Sequence, residues 1–299
     1  MPAPVILMYH SVDDRRGRSD AWALSVSPEN FASQVEALVS QRTVVPLEDL
    51  ARCVRAGRIP RGLVAITFDD GYANNATAAK PVLERYGAPA TLFYMTAAAD
   101  TPSFWWDRLE RLIMEARSLP AVVSIPVVAP TVRVAVEGVD RATALSRVWS
   151  RLRDLGPADR ERAMADLADS LAVPSLDPAP APLTIEEVAR LDGGVFSIGA
   201  HTHSHPSLPS LQPPDIAREI VDSKAICERY LARPVTAFAY PFGDHDDRVV
   251  AAVADAGLTL ACTTSARAIR PDDHCLTLPR VGVGNWSGEE LMRHLASIP

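Results

Sequence analysis

The stretch Leu63-Val64-Ala65-Ile66-Thr67-Phe68-Asp69-Asp70-Gly71 sets a pattern that the rest of the chain repeats. Its first six residues are apolar or β-branched with no polar alternation, which describes a strand buried on both faces. That strand stops abruptly at two carboxylates and a glycine. Adjacent residues on an extended chain point to opposite faces, so Asp69 and Asp70 diverge unless the backbone turns there. Gly71 tolerates the angles such a turn needs. Two carboxylates held together at a strand end repel each other unless a cation or a proton lies between them. A plain polar strand end followed by a turn is the alternative.

The pattern returns at Val195-Phe196-Ser197-Ile198-Gly199-Ala200-His201-Thr202-His203-Ser204-His205-Pro206, an apolar strand that runs into three of the chain's seven histidines. One helical turn after Gly199 would place His201 and His205 on a shared face, as positions i and i+4. Imidazole nitrogens bind zinc at roughly 2.0–2.1 Å, and a catalytic zinc centre uses three protein ligands plus a water. Asp70, His201 and His205 complete a set of two histidines and one carboxylate. Asp69 is then left beside the metal as a base. Taken alone, such a histidine pair is more often a surface or capping feature. It gains its meaning from the aspartate pair at the end of another strand.

Thr67-Phe68-Asp69-Asp70-Gly71 and His201-Thr202-x-x-His205 resemble the first two motifs of the NodB-type polysaccharide deacetylases, carbohydrate esterase family 4. Phe238-Ala239-Tyr240-Pro241-Phe242-Gly243 looks like the third motif, and Leu7-Met8-Tyr9-His10-Ser11-Val12 is similar to the start of one branch of the family. The resemblance covers residues 5–100 and 183–285. It implies a hydrolase that deacetylates an amino sugar or glycan at an amide C–N bond. One divalent ion is implied, zinc first, with cobalt, nickel or manganese in its place. By the same resemblance Asp69 is the general base, and the backbone N–H after Pro241, that of Phe242, holds the oxyanion. Tyr240 and Phe242 then flank the substrate.

The chain departs from the family pattern in two places. Many members carry an arginine two positions before the proline of the third motif, paired with the base, where this chain has Ala239. His10 and Arg280 are the candidates to orient the base instead. Many members also carry a leucine-x-histidine near the C-terminus as the general acid. Here Leu291-Met292-Arg293-His294-Leu295 does not match that spacing, which makes His10 the better candidate for the acid and leaves His294 as a surface histidine.

Composition narrows the partners. Hydrophobic residues at 47% and charged residues at 22% of 299 are ordinary for a globular protein with a sizeable core. A net charge of −7 speaks against nucleic acid and offers no polybasic patch for an anionic membrane. Met1-Pro2-Ala3-Pro4 lacks the basic start of a signal peptide, and no apolar run reaches the roughly 18 residues of a membrane span. Cys53, Cys227, Cys262 and Cys275 are scattered, as expected of reduced thiols, so a cytoplasmic location is expected.

Strands are expected at Val5–Met8, Leu63–Phe68, Ala90–Met95, Val195–Gly199, Val235–Tyr240, Leu258–Thr263 and Leu276–Val281, alternating with helices. About seven such βα repeats imply a distorted or incomplete (β/α) barrel of parallel strands, with its chemistry at the strand C-termini. The barrel takes residues 1–100 and 183–299. Residues 101–182 read as an inserted, mainly helical subdomain with a small antiparallel pair at Val122–Val136 and a proline-rich linker at Val173–Pro182. A lid over the site and a packing or dimerisation element are equally open for it. The function expected is N-deacetylation of an amino sugar or glycan. A deformylase or other small-amide hydrolase is the alternative, and an inactive glycan-binding protein of the same fold is a second.

Overall fold

The computed structural model describes residues 2–15, 19–125, 131–171 and 181–298. The chain forms two compact units, one of residues 1–15, 23–100 and 182–299, the other of residues 16–22 and 101–181.

The larger unit is built on seven strands: β1 (Val5–Tyr9), β2 (Leu63–Phe68), β3 (Ala90–Tyr94), β4 (Phe196–Ala200), β5 (Ala237–Ala239), β6 (Leu260–Cys262) and β7 (Val281–Gly282). They lie in the order β6-β5-β4-β3-β2-β1-β7, every neighbouring pair parallel. All six residues of β2 are buried, as a strand covered on both faces must be. Register keeps the strand ends level, with Tyr9 beside Phe68 and Tyr94 beside Ala200.

The sheet curls, and one segment reaches both of its edges. Cys275 C=O accepts from Ala261 N–H at 2.8 Å, and Leu278 bonds β6 through Ala261 C=O and Thr263 N–H, both at 2.8 Å. A few residues later β7 pairs with β1, Leu7 against Val281. Ile6, Ala65, Phe93, Ala239, Cys262 and Leu278 pack into one buried cluster with Leu47, Leu50, Ala51 and Val54 of the helix Leu47–Arg55. Small residues suit such a narrow interior, and truncating a leucine there costs about 2–5 kcal/mol.

Local signals place the helices. Ser27 caps the helix Pro28–Gln41 by accepting from Asn30 N–H, with Pro28 at the first helical position. Capping boxes at Thr184/Glu187 and Ser287/Glu290 open the helices Ile185–Leu191 and Gly288–Ala296. The helix that follows β2 starts as a π-turn over Asn75–Ala79 before the α-helix Lys80–Tyr86. Buried Asn75 there donates to His10 C=O at 2.8 Å, a tie no local pattern announces. Thr43–Val44 adds a short strand beside β2, and Ser11–Val12 pairs with Ser25–Val26. Both are too short to leave a periodic signal.

The second unit holds the helices Trp105–Glu115, Arg141–Leu152 and Pro157–Leu171 and an antiparallel pair, Val122–Ile125 with Val132–Ala135. Leu109, Ile113, Leu145, Val148 and Leu167 form its interior. The Arg160 guanidinium lies 4.8 Å from the Trp105 ring centre. Residues 173–180 of the proline-rich stretch lie outside the described residues. Among the described residues no helix is long and apolar enough to cross a membrane.

Candidate active site

The two aspartates leave β2 through a very tight turn. Asp69 N–H still bonds Tyr9 C=O at 3.0 Å, continuing the sheet, but Gly71 N–H bonds back to Asp69 C=O at 2.9 Å. This closes a three-residue turn centred on Asp70, whose φ is +73°. Such turns are rare and strained. The turn expected at Gly71 thus begins one residue earlier. Gly71 itself has φ +95°, and a Cβ there would lie 2.5 Å from the Tyr94 ring. The outcome is that both carboxylates stay at the same strand end, buried.

The histidine loop does not make the expected helical turn. Thr202 and His205 take φ values of +64° and +58°, and His205 N–H bonds Thr202 Oγ1 at 3.0 Å. The loop still brings the two rings together, with centroids 4.9 Å apart. His201 Nδ1 lies 2.8 Å from Ala239 C=O and so carries a proton there, which turns Nε2 toward Asp70. His203 does not join them. Its Nδ1 lies 2.9 Å from Thr96 Oγ1, so it braces the loop.

Asp70, His201 and His205 are the three residues, among those described, whose donor atoms gather tightly enough to hold a metal ion, all within 4.8 Å. Asp70 Oδ1 stands 3.4 Å from the Nε2 of each histidine. Two ligands each about 2.1 Å from a tetrahedral zinc would be about 3.4 Å apart. The same Oδ1 is buried and takes no hydrogen bond from the described residues. A buried carboxylate oxygen without a donor is costly unless a cation is provided for it. The donor set therefore fits a divalent ion. Burial raises the Asp70 pKa, but the His201 contact and the charges of His205, His10 and His201 hold it below the ordinary range.

Asp69 faces a different partner. Arg280 Nη1 donates to Asp69 Oδ1 at 2.6 Å and Nη2 to Oδ2 at 2.7 Å, while Arg280 Nε donates to Thr263 C=O at 2.9 Å. Thr67 Oγ1 accepts a further bond from Nη1 at 3.1 Å. Both members of the pair are buried. Burial pushes the Asp69 carboxyl up, but the Arg280 charge, His201, the Arg280 hydrogen bonds and His10 bring it down to about 2. It is ionised at neutral pH and held in one orientation.

The third-motif loop follows β5. Phe242, after Pro241, has φ +59° and ψ 0°, and its ring packs edge-on against His205 with centroids 4.6 Å apart. Thr264 Oγ1 donates to Phe242 C=O at 3.1 Å. Four of the six non-glycine residues with positive φ among those described, Asp70, Thr202, His205 and Phe242, belong to these loops. Strain of this kind gathers at functional sites. Tyr240 needs correction as a substrate neighbour. Its ring is fully buried and its hydroxyl donates to Leu276 C=O at 2.8 Å, because the side chain turns into the interior. Half-buried His10 lies close enough for its charge to act on both Asp69 and Asp70. His294 packs at 4.7 Å from the Trp286 ring on the closing helix.

A family model described as polysaccharide deacetylase matches residues 56–118 and 183–261. The chain carries a polysaccharide deacetylase domain of the NodB type. Within this deacetylase domain the matched residues include Asp69, Asp70, His201, His205 and the loop Tyr240–Gly243, whereas His10 and Arg280 fall outside the match. A relative from Bacillus subtilis (strain 168), named "Putative polysaccharide deacetylase YxkH", is 22% identical over 296 residues, 98% of this chain and 76% of that protein. Among solved structures, the Streptococcus pyogenes deacetylase PplD in complex with acetate aligns with a TM-score of 0.66 at 19% identity, covering 99% of each chain. IcaB from Ammonifex degensii aligns with a TM-score of 0.64 at 18% identity, covering 99% of this chain and 98% of its own. These structures share the fold of the deacetylase domain, seven parallel strands in a curled barrel with helices. The family match supports deacetylation of a glycan.

Proposed function

We propose that this deacetylase is metal-dependent and removes the N-acetyl group of an amino sugar or glycan, with Asp69 as the base. The observation that carries this reading is the division of labour between neighbouring carboxylates. Asp70 turns an undonated oxygen toward two histidines, and Asp69 is clamped by a buried arginine.

Asp70, His201 and His205 would hold the ion. When bound it supplies Lewis-acid polarisation of the amide carbonyl and lowers the pKa of water toward about 7. Asp69 accepts the proton of the attacking water through a carboxylate lone pair that Arg280 leaves open, each oxygen having two. Arg280 keeps that carboxylate charged and aimed, at the cost of lowering its basicity. The Phe242 N–H donates to the oxygen that gains negative charge as the carbonyl carbon becomes tetrahedral. His10, at the end of β1, gives a proton to the departing amine as the C–N bond breaks, and acetate is the second product.

Proton NMR of the small acids released from nucleotide-linked N-acetyl and N-formyl sugars, free amino-sugar amides and short chitin oligomers tests this. Acetate from any acetylated member supports the reading. Formate from the N-formyl members alone replaces it with deformylation. No acid from a protein that binds no divalent ion turns it toward glycan binding without turnover.

A further inference from the structure

The two proposed histidine ligands sit on a short loop whose geometry is imposed from outside. The imposing residue is Glu219, on the helix Pro213–Leu231. Glu219 Oε2 accepts from His203 N–H at 2.9 Å and from Ser204 N–H at 2.8 Å, and Oε1 accepts from Ser204 Oγ at 2.6 Å. The Glu219 backbone C=O also accepts from His203 N–H, at 3.1 Å. His203 and Ser204 lie between the two ligands in sequence, so one carboxylate spans the middle of the loop without touching either coordinating ring.

We infer that Glu219 is a positioning residue for metal binding, acting through the His203–Ser204 backbone. The inference rests on the metal reading of Asp70, His201 and His205.

Thr202 and His205 hold left-handed backbone angles, each costing on the order of 1–3 kcal/mol, and such angles persist only where the surroundings over-determine them. Hydrogen bonds to an ionised acceptor are about twice as strong as neutral ones, and Glu219 makes them to adjacent residues of the strained segment. Its helix is a fixed support, because Ile216 and Ile220 on either side are buried. The opposite flank of the loop is held separately, by Ala97 N–H on His203 C=O at 2.8 Å and by the Thr96–His203 contact. Removing the Glu219 carboxylate leaves His203 held by Ala97, Thr96 and the Glu219 backbone C=O, but strips Ser204 of both its N–H and its Oγ partner on that carboxylate. The loop then relaxes toward ordinary backbone angles and carries the histidine nitrogens apart. Partners that orient ligands without binding the ion commonly contribute about 10–100-fold in metal affinity.

The test is cobalt(II) titration of the full chain, followed by calorimetry and by visible ligand-field absorption, for wild type, Glu219→Gln, Glu219→Ala and Ser204→Ala. The expected result is a loss of about 10–100-fold in affinity for Glu219→Ala with an altered cobalt spectrum. Glu219→Gln, which keeps one acceptor oxygen, falls between it and wild type, and Ser204→Ala shows a smaller loss. The melting temperature in EDTA separates positioning from packing. A lowered melting temperature with unchanged cobalt affinity in Glu219→Gln and Ser204→Ala overturns the inference, even if Glu219→Ala does not fold. Wild type that binds no cobalt overturns the metal reading itself, a result distinct from equal binding by wild type and variants.

Discussion

Arg280 and Asp69 meet through two parallel hydrogen bonds of 2.6 and 2.7 Å, inside the protein, although one precedes β7 and the other follows β2, far apart in sequence. The family pattern puts an arginine at the position occupied here by Ala239, whose carbonyl instead accepts from His201. The counter-charge of Asp69 comes instead from Arg280, just before β7, and its geometry is bidentate. Removing one partner of a buried pair costs about 3–5 kcal/mol because the other charge is left uncompensated. Arg280→Ala should therefore lower stability by about that amount and abolish turnover, whereas Arg280→Met combined with Asp69→Asn should recover most of the stability and none of the turnover. Urea denaturation of wild type and the two variants checks the stabilities, and acetate release checks the turnover. Equal stability of Arg280→Ala and wild type would contradict a buried pair.

Asp69→Asn alone leaves the buried Arg280 charge uncompensated and should cost about 3–5 kcal/mol of stability, while divalent-ion binding is kept and turnover drops by about 10²–10⁴-fold, as for loss of a general base. Side-by-side calorimetry and acetate release measure ion binding and turnover. Wild-type turnover in this variant would assign activation of water to another group.

His201→Ala and Asp70→Asn each remove one of three proposed donors and should strongly reduce bound zinc, measured by elemental analysis after dialysis. In wild type, EDTA should stop acetate release, and added zinc should restore it. Full occupancy in both variants would rule out the ligand set.

Gly243 has φ +76°, and a Cβ at that position would lie 2.2 Å from Thr264 Oγ1 and 2.7 Å from Thr264 N. Gly243→Ala must therefore push the loop and with it the Phe242 N–H. We expect kcat to fall with little change in KM, the pattern of an interaction made only in the transition state. Steady-state kinetics on an acetylated substrate distinguishes this from a rise in KM alone, which would place the loop in substrate binding.

Asp273 accepts from both Arg267 Nη atoms and from Arg270 N–H. Burial raises its pKa, but the Arg267 hydrogen bonds and the Arg270 N–H bring it below the ordinary range. A depressed folded-state pKa means the stabilisation is complete above the unfolded value, about 3.9, and is lost as pH falls through the folded one. The melting-temperature gap between wild type and Asp273→Asn should be present at neutral pH and shrink in acid. A gap that does not change with pH would mean that the ion pair contributes nothing.

Much of this architecture is legible in the chain because its signals are local. The continuous apolar run of Leu63–Phe68, the Ser27-Pro28 start and the two capping boxes each declare an element within a few residues. The positions of Asp69, Asp70, His201 and His205 at strand ends follow from the same runs. What the sequence conceals is long-range. Glu219 looks like any polar residue on an amphipathic helix, and only the fold brings it under the histidine loop. The family resemblance places Tyr240 beside the substrate, yet its hydroxyl donates to Leu276 C=O in the interior. The helical turn expected around His201–His205 follows from spacing alone, and spacing says nothing of the left-handed angles that Thr202 Oγ1 and Glu219 sustain.

The segment Cys275–Val283 touches both edges of the sheet and also carries Arg280. A nascent chain that has left the ribosome only as far as residue 270 already contains every proposed metal ligand, but it has no counter-charge for Asp69. On the proposed function, the ligand set and the counter-charge of the base therefore enter the chain at different moments of synthesis. The same short segment that joins the two edges of the sheet thus delivers the arginine that faces Asp69.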